Sequence, residues 1–167
     1  MKLNAAITVL LVLSVLASDV VAGDEPPAGT MADGVEAFDG GDYKRAIGIW
    51  RSLAENGHVH AMVALGSVNR TGEGVPKNLE VARNWYRLAA IGGSGHGMQA
   101  YGHMLLQGEG GARDSRAAYC WLKRAGQKGK AFARELTQRL QRDLPKIPQA
   151  GECHDLRNRA SARSENR

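Results

Sequence analysis

The residue types in this chain best able to ligate a metal or attack a carbonyl are five histidines and two cysteines. His58 and His60 precede one apolar stretch, and His96 lies 36 residues after His60, with His103 close behind. On adjacent helices these side chains would approach one another, but no carboxylate or thiolate stands at ligand spacing, and polar residues at helix starts explain them more simply. Cys120 beside a histidine would imitate a nucleophile–base pair. It is flanked by Tyr119 and Trp121, so burial is expected to raise its thiol pKa and quench it. Gly72-x-Gly74 and Gly108-x-Gly110 have the look of phosphate loops, yet each follows a helical pattern and lacks a third glycine or a Lys-Ser/Thr pair. No Ser-x-x-Lys or Gly-x-Ser-x-Gly motif is present. The chain therefore predicts no catalytic residue, no metal site and no cofactor.

The elements that position these residues recur. Shifted by 36, Gly72, Gly74, Ala82, Trp85, Ala89 and Gly93 fall on Gly108, Gly110, Ala118, Trp121, Ala125 and Gly129. Met62, Ala64 and Gly66 likewise fall on Met98, Ala100 and Gly102, and Ala46, Trp50, Ala54 and Gly57 on Ala82, Tyr86, Ala90 and Gly93. Within one period Ala61, Ala64, Leu65 and Val68 form a helical stripe, which Gly72 to Pro76 then breaks. Asn78 and Asp114 are suited to cap the following helix, which carries Val81, Ala82, Trp85 and Ala89 at three-to-four spacing. Small residues admit close helix approach, and Trp50, Trp85 and Trp121 are expected to fill the gaps between pairs. The fold class is all-α: a short right-handed solenoid of about two and a half to three helix pairs.

Ala64-Leu65-Gly66, Gly72 to Asn78 and Ala82 to Ala90, with Ala100-Tyr101-Gly102, Gly108-Glu109-Gly110, Asp114 and Ala118 to Leu122 as a second copy, resemble the Sel-one-like repeat family, relatives of the tetratricopeptide repeat. The resemblance runs over residues 31–144: a half-repeat at 31–56, repeats at 57–92 and 93–128, and a closing helix at 130–144, followed by a disordered, flexible tail at 145–167. It implies a non-catalytic interaction scaffold and a bacterial, exported member. Activity against β-lactams, ascribed to some cysteine-rich members of the family, would need a nucleophile motif that is lacking here. Two departures stand out. Asn69 and Leu105 occupy a slot where the family usually has tyrosine, and Gly111 replaces a usual valine; both are expected to weaken packing between helices.

Residues 1–22 read as a cleavable signal peptide: Lys2, an apolar run from Ala5 to Ala17 broken only by Thr8 and Ser14, then small residues at Val20 and Ala22. Val15-Leu16-Ala17 is a second candidate cleavage site. The run is shorter than the roughly 20 residues a transmembrane helix needs, and no cysteine sits at the junction for a lipid anchor. A periplasmic or secreted protein without a transmembrane anchor is expected. In such a compartment Cys120 and Cys153 would pair across a long loop, the alternative being a buried small residue and a tail thiol.

Charge is uneven along the chain. Residues 23–80 hold 9 acidic and 5 basic residues, whereas 113–142 hold 9 basic and 2 acidic ones. After export this asymmetry points away from nucleic acid and toward anionic polysaccharide, lipid headgroups or an acidic protein, or to a solvated helix surface. Two sets of residues are candidates for binding. Met62, Ser67, Asn69, Arg70, Gln99, His103 and Gln107 lie off the packing stripe of the first helices and are expected on the concave face, toward another envelope or secreted protein. Arg116, Lys123, Arg124, Lys128, Lys130, Arg134, Arg139 and Arg142 form the basic set for an anionic surface.

Overall fold

The computed structural model describes residues 29–143 together with Lys146, Pro148, Glu152 and Cys153. The expected signal peptide lies outside the described residues, as does most of the expected tail. Among the described residues seven helices follow in order: α1 (Met31–Asp39), α2 (Tyr43–Glu55), α3 (Val59–Thr71), α4 (Leu79–Ile91), α5 (Gly95–Gln107), α6 (Ser115–Gln127) and α7 (Ala131–Asp143). Among the described residues there is no strand. Each helix packs on its neighbour in sequence, and α3 also touches α5, so first helices of successive pairs stand side by side. This arrangement is an α-solenoid.

Local chemistry sets the helix limits. Thr30, Asp42, Asn78, Ser94 and Asp114 each accept the backbone N–H three residues on, satisfying a donor that the helix leaves open. Thr30 and Asp33 complete a reciprocal capping box. His58, at the start of α3, makes no such side-chain bond. At the other end Gly72 and Gly108 adopt left-handed backbone (φ 86° and 75°), and their N–H groups bond Val68 and Met104. Each loop is then closed by a backbone bond, Asn78 to the Asn69 carbonyl at 2.7 Å and Asp114 to the Leu105 carbonyl at 2.9 Å.

The 36-residue register reappears in packing. Ala46, Ala82 and Ala118 are all fully buried, which lets adjacent helices approach closely. Gly66 lies under the Tyr86 ring and Gly102 under Leu122; a Cβ there would sit 2.7 and 2.8 Å from those side chains. Gly34 plays the same part beneath Trp50, although it precedes Trp50 by four fewer residues than the period requires. The reason is the connection between α1 and α2, which spans only Gly40 to Asp42, against Gly72 to Asn78 in the next pair.

That offset explains the first unit. Gly97 faces Ala89 of the preceding second helix, and the stripe through Gly97, Tyr101 and Met104 is buried. The corresponding positions of the first unit are Gly29, just before α1, and Asp33 and Glu36 within it. Carboxylates stand where later repeats bury apolar side chains, so this end of the array is finished with polar residues.

Two apolar clusters form the core. One joins α1 to α3 around Trp50 and Leu65; the other joins α4 to α7 around Trp121, Leu122 and Met104. Trp50 and Trp121 are buried as expected, whereas Trp85 is only half-buried against the first cluster. The two departures from the family pattern do not loosen the array. Leu105 is buried in the second cluster, and Asn69 donates to the Leu65 carbonyl of its own helix. Gly111 leaves room for Arg83: a Cβ would lie 2.8 Å from the guanidinium. Arg83 there donates to the Glu109 carbonyl at 3.3 Å and the Ala112 carbonyl at 3.0 Å, clasping α4 to the next repeat's loop.

Candidate functional site

Ser67 and His103 occupy the same register position on α3 and α5, one period apart. Ser67 is exposed and His103 half-buried. Beside them Arg70, at the end of α3, reaches across to Glu109 in the loop after α5. The guanidinium donates through Nε at 2.8 Å and through Nη2 at 3.2 Å to the two carboxylate oxygens. This two-pronged bond holds the Glu109 carboxyl below its ordinary pKa, helped by the fields of His103 and Lys77, and raises that of Arg70. Underneath, burial pushes the Tyr86 hydroxyl up, while a hydrogen bond with Ser67 and the charge of Arg70 oppose the shift. Burial likewise raises Tyr101, with Arg83 and Arg87 nearby. The result is a polar patch spanning two repeats, edged by the exposed Phe132 ring 6.5 Å from His103. Such a patch offers paired charges, hydroxyls and a ring to a protein surface.

The first candidate set divides. Ser67 and Gln107 are exposed, and Gln99 and His103 are half-buried. Met62 packs against the first core cluster, Asn69 bonds its own helix, and Arg70 is held by Glu109. The register accounts for this: the counterparts of Met62, Asn69 and Arg70 are Met98, Leu105 and Leu106, all buried. Glu109 and Phe132 join the patch without having been expected. The signal for Glu109 is weak in sequence, because a Gly-Glu-Gly turn reads as a loop.

The basic set does not form one face. Arg116 pairs with Glu152 at 2.5 Å, and Arg139 pairs with Glu135 one helical turn away at 2.6 Å. Arg124 lies over the Trp121 ring and donates to the Cys153 carbonyl at 3.1 Å. Lys130 meets Nε2 of His96 at 2.6 Å. Lys123 and Arg134 line a groove between α6 and α7, and Lys128 and Arg142 are exposed. Among the described histidines His96 meets Lys130 and His103 lies beside Phe132. Among the described residues no three His, Cys, Asp or Glu side chains gather as a metal site.

Cys120 and Cys153 are joined by a disulfide, with Cα atoms 5.3 Å apart and a separation of 33 positions in sequence. Of the two readings the sequence left open, the structure has the pair, and Cys120 carries no thiol for nucleophilic attack. Among the described residues no helix is long and apolar enough to cross a membrane.

The model of the Sel1 repeat matches residues 59–94 and 95–130, which span α3–α4 and α5–α6 with the turns that follow them. Residues 59–130 are two Sel1 repeats. The fold of the chain is similar to that of c5321, a protective antigen present in uropathogenic Escherichia coli strains that displays an SLR fold. The two are 25% identical with a TM-score of 0.68, over 78% of this chain and 28% of that one. A Sel1 repeat protein from Oxalobacter formigenes is 26% identical with a TM-score of 0.55, over 65% of this chain and 96% of that one. The present chain thus spans little more than a quarter of the c5321 structure. Among curated proteins none matches the sequence significantly. Sel1-repeat proteins generally act as scaffolds for protein–protein interaction, and their fold is typically non-catalytic.

Proposed function

We propose that this Sel1-repeat protein is a non-catalytic adaptor of the bacterial cell envelope or exterior, which binds another envelope or secreted protein on the face formed by α3 and α5. The observation carrying this reading is the patch of Ser67, Arg70, His103 and Glu109, which is continuous across two repeats. The Arg70–Glu109 pair fixes one edge before any partner arrives, which lowers the ordering cost of association. Export rests on the signal-like residues 1–22. The disulfide suits an oxidising compartment, and the description of c5321 as a protective antigen supports a place in the envelope.

Cross-linking in intact cells tests the proposal, using a tagged full chain and a Ser67→Glu, His103→Glu double variant. A dominant envelope protein that is retained in high salt and lost with the double variant is the expected outcome. Equal recovery from both forms would overturn the assignment of the face. The amino-terminal residue of the mature protein, read by mass spectrometry, tests export: a new terminus after Ala22 or Ala17 is expected, and an intact Met1 would refute it.

A further inference from the structure

We propose a second interaction surface: the groove between α6 and α7 receives an acidic amphipathic helix from a partner protein. The argument begins with register. In both complete repeats the first helix carries the second helix of its own pair through a glycine, Gly66 under Tyr86 and Gly102 under Leu122. By the same register α7 is a first helix, since Ala133 stands one period after Gly97 and is fully buried, with Thr137 and Leu140 buried along the same stripe. The positions of α7 that would carry a second helix are then Arg134, Gln138 and Gln141, the counterparts of Met98, Gly102 and Leu105. These three side chains line the groove. Tyr119, Lys123 and Gly126 of α6 line its opposite wall.

The chain's own continuation does not suit this seat. One period after Ala118, Trp121, Leu122 and Ala125 stand His154, Arg157, Asn158 and Ser161. None of these can supply the small-and-aromatic stripe with which α4 and α6 pack. Residues 154–167 also carry four arginines against two acids, so they are repelled by a cationic wall. Cys153, moreover, is bonded to Cys120 and Glu152 to Arg116, in the first half of α6, whereas Gly126 and Gln127 of the groove belong to its last turn.

The lining defines the occupant. Its floor is buried at Tyr119, Gly126 and Thr137, and its rim holds Lys123 and Arg134, both exposed. The nearest acid on α7, Glu135, is already paired with Arg139. A helix with small or apolar residues at three-to-four spacing, flanked by Asp or Glu, satisfies both floor and rim. Gln138 and Gln141 offer carboxamides to its polar edge, where the interior repeats have glycine and leucine or asparagine.

The experiment places a photo-cross-linking residue at Gln138 in the full, oxidised chain in its native cells and maps the adducts by mass spectrometry. The expected adduct lies in an acid-rich, helically patterned segment of another protein. Its yield should fall about tenfold when Lys123 and Arg134 are both changed to Glu, with unchanged far-ultraviolet circular dichroism. Both side chains are exposed, so these variants should fold. Any other result overturns the proposal: no adduct, an adduct with residues 154–167 or a second copy, an adduct with anionic polysaccharide or lipid, or a yield insensitive to charge reversal. The same probe at Ser67 reads the α3–α5 face separately, so failure of one surface is distinguishable from failure of the other.

Discussion

At the scale of single residues the core and the polar patch behave differently. Trp121 is almost completely buried in the second cluster, whereas Trp85 is half-buried at the edge of the first. Trp121→Ala should therefore cost about 3–5 kcal/mol through lost burial and the cavity left behind. Trp85→Ala should cost distinctly less, although both tryptophans hold the same repeat position; urea unfolding of the two variants checks the order. Arg70 and Glu109 are 42% and 27% exposed, so water screens their bond and its contribution is at most about 1 kcal/mol. Because the Glu109 pKa is depressed in the folded protein, this stability is present above the ordinary carboxylate range and is lost as pH falls through the depressed value. Glu109→Gln should accordingly destabilise at neutral pH and make no difference in strong acid. A penalty that persisted in acid would mean that the carboxylate charge is not its source.

Elements here are defined by their ends. Five of the seven helices begin with a side-chain cap, but α3 begins at His58, which makes no cap bond, while its counterpart Ser94 caps α5. His58→Ser should thus stabilise the protein by about 0.5–1 kcal/mol. Thermal unfolding measures it, and a lower midpoint would contradict the reading of His58 as an uncapped helix start. Turn chemistry was legible in the same way: Gly72, Gly108, Asn78 and Asp114 each announce a boundary, because few residues tolerate left-handed backbone or satisfy the first N–H groups. What the sequence did not announce was the reason for the second glycine of each loop. Gly74 lies against Tyr43 and Gly110 against the backbone of Leu79, contacts with the preceding pair that no local pattern reveals.

For the whole molecule, the disulfide joins a described point of the tail to the middle of α6, and closing a loop of 33 residues restricts the unfolded chain. In the loop-entropy account this is worth about 3–4 kcal/mol. Reduction, or Cys153→Ser, should lower the urea midpoint accordingly; an unchanged midpoint would show that the tether does not act on the folding equilibrium.

The repeats, their length and the small residues between helices were legible in the amino-acid order alone, because a period of 36 imprints one packing rule on every copy. That rule is local enough to be written in spacing. Spacing did not reveal that Arg70 would meet Glu109, that Arg83 would fill the room left by Gly111, that Met62 would pack on the core or that Asn69 would bond its own helix. Nor could it show that the basic residues of the last third would scatter over separate partners. Each of these depends on how far one helix pair rotates against the next, and that rotation is set by side-chain volumes packed together in space, between residues far apart in the chain.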